Sequence, residues 1–180
     1  MRIIAGEARG RRIEAPEGRN TRPTLDRIRE NLFNMLQGEI EGSTVLDLFA
    51  GSGALSFEAL SRGAESACLV DHDRKAIAVQ QRNAETLGYR TRASIIPADW
   101  RRALKALAGE GKRFDIVFLD PPYAMTELTE VFTGLIPVLK EEALIILEHE
   151  AGKTPETGEG FECVKQRSWG FCGVNIYRKV

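Results

Sequence analysis

From residue 43 onward, short apolar runs alternate with amphipathic stretches. The runs at Val45 to Phe49, Ser66 to Val70, Ser94 to Ile96, Phe114 to Leu119 and Ala143 to Glu148 lack polar alternation, the pattern of strands buried on both faces. Between them, helical spacing predicts helices up to Arg62, from Asp73 to Leu87, from Asp99 to Leu107 and from Thr126 to Leu139, with Pro137 ending or kinking the last. Strand and helix in regular succession imply an α/β fold, a parallel sheet covered on both faces. The tail changes character. Gly152 to Gly160 reads as a polar loop, and Phe161 to Trp169 with Val174 to Lys179 as a closing antiparallel hairpin turning around Gly170 and Gly173. At the other end, residues 1 to 20 predict a loose hairpin with strands at Arg2 to Gly6 and Arg11 to Ala15. Thr24 is the natural N-cap of an amphipathic helix that carries Leu25, Ile28, Leu32 and Leu36 and ends near Gly38. The expected organisation is an extension over 1–40 ahead of a main domain over 41–180.

Composition adds little to this and charge adds much. Apolar residues make up 43% and charged residues 28%, ordinary values for a globular domain, and no apolar run is long enough to span a bilayer. The N-terminus lacks the apolar core of a signal peptide, so a cytoplasmic location is expected. Cys68, Cys163 and Cys172 are odd in number without C-x-x-C spacing, and with only His72 and His149 beside them neither a disulfide framework nor a metal site is expected. The net charge of −1 hides an asymmetry: residues 1–29 hold eight arginines against four acids. Arg9, Arg11, Arg12 and Arg19 form a basic arm suited to a polyanion, and Arg22, Arg27 and Arg29 gather where the first helix begins, a second hint of an anion.

Candidate chemistry lies at the carboxyl ends of the predicted strands, where open parallel sheets bind ligands. After the first strand, Gly51 and Gly53 allow a sharp turn and a close backbone approach to a ligand. Asp71 stands twenty residues after Gly51, where a carboxylate can accept from both hydroxyls of a ribose. Ser56 replaces the third glycine of a dinucleotide fingerprint, and the pair fits NAD, FAD and S-adenosylmethionine alike. Asp73 is better explained as a helix cap, whereas Asp99 suits either a cap or an adenine amino group. The run Asp120-Pro121-Pro122-Tyr123 separates these cofactors. Two prolines fix the backbone and remove two N–H donors, so carboxylate and carbonyl acceptors face one place. Asp120 and the Pro121 carbonyl can hold the two hydrogens of an amine on a planar base while Tyr123 stacks on its ring, directing the nitrogen lone pair at an electrophilic methyl group.

On MRIIAGEARGRRI, TRPTLDRIRENLFNML, VLDLFAGSGALSFEALSRGA and FDIVFLDPPY, the chain resembles the class I S-adenosylmethionine-dependent methyltransferases. Within them it is most similar to the RsmD-like family, which methylates guanine N2 in bacterial small-subunit ribosomal RNA. The resemblance implies a Rossmann-like sheet with the basic hairpin and helix in front, and S-adenosylmethionine as cofactor. It implies that Asp47, Phe49, Gly51 and Gly53 form the methionine-side loop, that Asp71 holds the ribose and Asp99 the adenine end, and that Arg22 and Thr24 cover the methionyl group. The family usually has glutamate where Asp71 stands, and tyrosine where Trp169 stands. Asp120, Pro121, Pro122 and Tyr123 would be catalytic, and Arg9, Arg11, Arg12 and Arg19 would contact ribosomal RNA or an assembling small subunit. No metal or membrane partner is implied, and a monomer is expected.

Three other readings fit part of the chain. An adenine N6 or cytosine N4 methyltransferase of DNA shares the amine-holding motif but commonly carries a target-recognition domain, for which no segment is evident. A NAD-dependent oxidoreductase shares only the glycine turn and Asp71. A non-catalytic RNA-binding assembly factor would bind the cofactor without transferring its methyl group.

Overall fold

The computed structural model describes residues 1–15 and 23–180, residues 23 and 24 by their backbone. Seven strands form one sheet in the order β3-β2-β1-β4-β5-β7-β6. They are β1 (Thr44–Asp47), β2 (Ser66–Asp71), β3 (Ala93–Pro97), β4 (Phe114–Leu119), β5 (Leu139–Glu150), β6 (Phe161–Trp169) and β7 (Cys172–Lys179). The first five pair in parallel, while β7 runs antiparallel to both β5 and β6. This is the class I methyltransferase sheet expected from the sequence. Strand order reverses between β1 and β4, and the carboxyl ends of those two strands open the crevice in which such sheets bind ligands.

The helices are α1 (Pro23–Met35), α2 (Ala54–Ser61), α3 (Arg74–Leu87), α4 (Trp100–Gly109) and α5 (Leu128–Leu135). One apolar cluster joins α1, α2 and α3 to one face of the sheet through Leu32, Phe33, Phe57, Leu60, Phe118 and Ile146. A second joins α4 and α5 to the other face through Trp100, Leu104, Phe132, Val117 and Leu147. Adjacent strand residues contribute to opposite clusters, as the two-residue period of a strand requires. The fourth predicted helix is shorter than expected. It gives way at Pro137 to a 3-10 turn over Ile136–Val138, and β5 then begins at Leu139, paired with Phe114 across a bulge. No helix among the described residues is long and apolar enough to cross a membrane.

The N-terminal hairpin needs correction. Its two expected strands reduce to a single antiparallel bridge, Arg2 to Arg12. Ile3 N and Ile13 N still pair across it, with the carbonyls of Arg11 and Met1, but the donors of Ile4, Ala5 and Ala8 go to α2. Glu58, fully buried, accepts from Ile4 N at 2.9 Å and Ala5 N at 3.0 Å, and the Ser61 hydroxyl accepts from Ala8 N at 2.9 Å while donating to the Ala5 carbonyl at 2.6 Å. Ile3, Ala8 and Ile13 join the first apolar cluster, so the arm is a packed layer over α2 and α3. Arg29 is also spoken for. It is 6% exposed, bonds Asp26 at 3.1 Å and the Arg2 carbonyl, and lies 3.9 Å from Glu58, so it is not the anion ligand its position suggested.

Candidate active site

The loop after β1 is fixed from three sides before any ligand arrives. Leu48 N donates to the Phe118 carbonyl at 3.1 Å and Ala50 N to the Val70 carbonyl at 3.0 Å, which carries the strand pairing into the turn. Gln80 and Asn83 of α3 donate to the carbonyls of Gly51 and Ser52 at 2.9 and 3.1 Å. Gly53 has φ +80, and a Cβ there would lie 2.6 Å from the Phe57 ring and 2.7 Å from Leu69, so both backbone and packing demand glycine. Phe49 lies half-buried just before this turn.

Asp47 ends β1 and is 1% exposed. Its Oδ2 accepts from the Ser56 hydroxyl at 2.9 Å, whereas Oδ1 has no partner among the described residues. Ser56, the residue that departs from the glycine fingerprint, thus tethers this carboxylate. Burial pushes the Asp47 carboxyl up to about 7; the Ser56 bond opposes that rise, and the charges of Asp120 and Asp71 add to it. A buried, unsatisfied carboxylate oxygen is costly alone and fits a cationic donor group. The residues present therefore suit a ligand that brings a positive charge to the β1 end.

Asp71, half-buried at the end of β2, accepts from Gly51 N with Oδ2 and from Asp73 N with Oδ1, both at 2.9 Å. A carboxylate has about four acceptor positions, so capacity for a ribose remains. Asp73 caps α3 by accepting from Lys75 N at 2.9 Å, the role expected of it. Asp99 caps α4 in the same way through Arg101 N at 2.9 Å, and its exposed carboxylate keeps further acceptor capacity.

Asp120 follows β4 directly and is half-buried; Pro121 is buried, while Pro122 and Tyr123 are exposed, Tyr123 to 50%. The Pro122 carbonyl accepts from Met125 N at 2.9 Å, which closes the turn. Partial burial and the nearby carboxylates Asp120 and Glu148 push the Tyr123 phenol up to about 12, so it stays neutral. Asp47, Asp71 and Asp120 thus meet at one edge of the sheet, the ends of β1, β2 and β4.

Other expected site residues stand apart. Arg19 and Arg22 lie outside the described residues, and for Thr24 only its place in the first turn of α1 is described. Arg9 and Arg12 are exposed on the arm. Arg11 donates to the carbonyls of Thr86 and Leu87 at the C-terminus of α3, the end of that helix remote from Asp71. Trp169 is half-buried and packs against the first apolar cluster.

Glu148 escaped the sequence reading. It lies on β5 one residue beyond the Leu119–Leu147 pair, hence beside Asp120 on the neighbouring strand. Burial and the Asp120 charge push its carboxyl up to about 8, opposed by the Cys172 thiol, which donates to Oε2 at 3.7 Å. Cys172 itself is pushed up to about 12 by burial and by the same two carboxylates, so it remains a thiol and a donor. The signal was present: Glu148, like Asp120, ends an apolar run.

The model of the family described as Conserved hypothetical protein 95 matches residues 1–178. The Ribosomal RNA small subunit methyltransferase D of Escherichia coli (strain K12) is 41% identical over 182 residues, covering 99% of this chain and 90% of the relative. Among solved structures, the yhhF protein of Escherichia coli superimposes with a TM-score of 0.84 at 36% identity, covering 99% of this chain and 97% of the other. SMU.776, solved in complex with SAH, has a TM-score of 0.72 at 19% identity over 87% of this chain and 49% of its own, a likeness of fold alone. With a match to the family model over residues 1–178 and a relative 41% identical over 90% of its own length, the chain belongs to the Conserved hypothetical protein 95 family, the RsmD family.

Proposed function

We propose that the chain transfers a methyl group from S-adenosylmethionine to the N2 amino group of a guanine in small-subunit ribosomal RNA. The observation that carries the reading is the juxtaposition at the strand-order switch. A cation-seeking carboxylate, Asp47, ends β1, and an amine-holding turn, Asp120 to Tyr123, follows the adjacent strand β4. The relative named for small-subunit rRNA methylation and the fold neighbour solved with SAH, the demethylated cofactor, agree with the methyl donor and the RNA.

Bound S-adenosylmethionine supplies a methyl group already activated by its positive sulfur, so no Lewis acid is needed. Asp47 meets the methionine ammonium with its free oxygen, Phe49, Gly51 and Gly53 shape the loop around it, Asp71 holds the ribose hydroxyls, and Asp99 faces the adenine. Arg22 and Thr24 cover the methionyl end. The guanine leaves its stack to enter the site. Asp120 and the Pro121 carbonyl accept the two N2 hydrogens, Pro122 keeps the turn rigid, and Tyr123 stacks on the ring. This geometry turns the nitrogen lone pair out of conjugation toward the methyl group. Residues 1–40 act as the RNA-contacting and cofactor-covering layer of the catalytic unit over 41–180. In that layer Arg9, Arg11, Arg12 and Arg19 supply phosphate contacts, so RNA affinity falls with added salt.

The test supplies methyl-labelled S-adenosylmethionine with small-subunit RNA, naked and protein-bound, and maps the labelled base. Label on guanine N2 is expected. Label on adenine or cytosine, or only on DNA, would overturn the reading, as would cofactor binding with no transfer to any RNA.

A further inference from the structure

The described site contains one half-buried acid, Glu148, that methyl transfer to an amine does not require. Glu148 is the next residue after Leu147 on β5, and Asp120 the next after Leu119 on β4, two strands in parallel register at that pair. Neighbouring strands lie about 5 Å apart, so the two side chains emerge side by side on one face of the sheet. That face is the one Asp47 shares, since Asp47 pairs with Phe118, two residues before Asp120. Cys172 pins Glu148 Oε2, and Oε1 receives no hydrogen bond from any described residue. The carboxylate thus has an unused acceptor beside the group that holds the amine. A further observation points to a planar ligand here: the exposed ring of Tyr123 feels the charges of both Asp120 and Glu148.

Bases with an exocyclic amine differ at the ring nitrogen next to it. Guanine carries a hydrogen on N1, adjacent to the N2 amine, whereas adenine N1 and cytosine N3 are bare acceptors. Two acceptors side by side therefore suit guanine, and set an acceptor against a lone pair for the other two. We propose that Glu148 is the specificity-determining residue of the acceptor site, accepting the N1 hydrogen of guanine while Asp120 holds the N2 amine. This rests on the guanine reading above and adds to it the reason for that choice of base. Sites built to accept a particular hydrogen reject analogues lacking it, because their own polar group is then left unpaired.

The test uses the full chain and small-subunit RNA whose mapped target carries either guanosine or 2-aminopurine riboside. The latter keeps the 2-amino group but has a bare N1. Both acceptors are assayed at one common pH, below that at which guanine N1 loses its hydrogen. The wild type is expected to favour guanine in kcat/KM by on the order of tenfold or more. Glu148→Gln, whose amide can either accept from guanine or donate to a bare N1, should bring the two acceptors to within about threefold. Because the ratio is taken within one preparation, partial misfolding does not affect it, and Glu148→Asp, which retains the acceptor, should keep the preference. An equal preference in wild type and Glu148→Gln overturns the inference. A target that maps to a base other than guanine overturns the underlying reading instead, so the two failures are distinguishable.

Discussion

The two halves of the site differ in how finished they are. At the ends of β1 and β2, each oxygen of Asp71 already takes a backbone N–H, Ser56 holds Asp47, and two α3 side chains grip the glycine turn. At the ends of β4 and β5, Tyr123 is half-exposed, Pro122 is exposed, and the hydrogen bond given to Glu148 is a thiol contact at 3.7 Å. The donor half is organised ahead of its ligand, which limits the ordering cost of binding a small molecule. The acceptor half has its acids in place and its aromatic rim open, as suits a base that arrives attached to a large RNA. The unsatisfied carboxylate oxygen of the donor half, Asp47 Oδ1, marks where its ligand's charge belongs.

Removing the amine-holding group is the harshest way to probe this division. Asp120→Ala should lower single-turnover methyl transfer by roughly a hundredfold or more, since positioning carries the reaction. S-adenosylhomocysteine affinity by calorimetry should stay within about threefold, a change below 1 kcal/mol. Parallel loss of both would break the division, making Asp120 part of the donor half.

A smaller effect, of two signs, is expected from Asp47→Asn. The amide cannot carry the charge that meets the methionine ammonium, so cofactor affinity should drop roughly tenfold, the scale of one charged hydrogen bond. The unliganded protein should become more stable, because burial raises the Asp47 carboxyl to about 7 from an ordinary value of 3.8. The sign follows from proton binding. Between those values the native state keeps a proton that the unfolded state has lost, so wild-type stability falls as pH rises through that window and levels off above it. Glu148 extends the same fall to about 8. Cofactor affinity runs the other way, rising with pH up to about 7 as Asp47 ionises. Thermal melts of both proteins across pH 4 to 9, with and without S-adenosylhomocysteine, check both signs; a wild-type stability that is flat over that range defeats the account.

Much of this site was legible from local pattern, and what was missed has a common cause. Phe114 to Leu119 and the acidic turn after it stand where they were expected, because a buried parallel strand and a diproline turn are both written in consecutive residues. The strands of the N-terminal arm shrank to one bridge because the donors of Ile4, Ala5 and Ala8 found Glu58 and Ser61, more than fifty positions away, and nothing near residue 4 announces a buried carboxylate. Arg29 misled for the same reason: its place near a helix start suggested an anion, but its partners are Glu58 and the Arg2 carbonyl. Glu148 obeys the rule that exposed Asp120, but no glycine or proline turn follows it: the strand runs on through His149 to Glu150 in antiparallel pairing with β7. Only the register between β4 and β5 puts the two acids side by side.

The mildest probe concerns the open rim. Phe171 is 54% exposed in the turn between β6 and β7, and its carbonyl accepts from Ala151 N at 2.9 Å, just past the end of β5. That bond holds the ring's backbone at the edge of the sheet where Asp120 and Glu148 emerge, on the β5 side, while Tyr123 approaches from β4. Cys172, adjoining Phe171, lies among the groups that act on Tyr123. A large apolar ring left in water at this edge of the sheet is free to stack on a base and adds little to the core. Phe171→Ala should therefore raise the KM for small-subunit RNA by roughly threefold to tenfold, the lower range for loss of one stacking contact. It should leave kcat at saturating RNA, S-adenosylhomocysteine affinity and thermal stability unchanged. Loss of stability with an unaltered KM would assign Phe171 to folding and leave Tyr123 as the sole aromatic wall of the acceptor half.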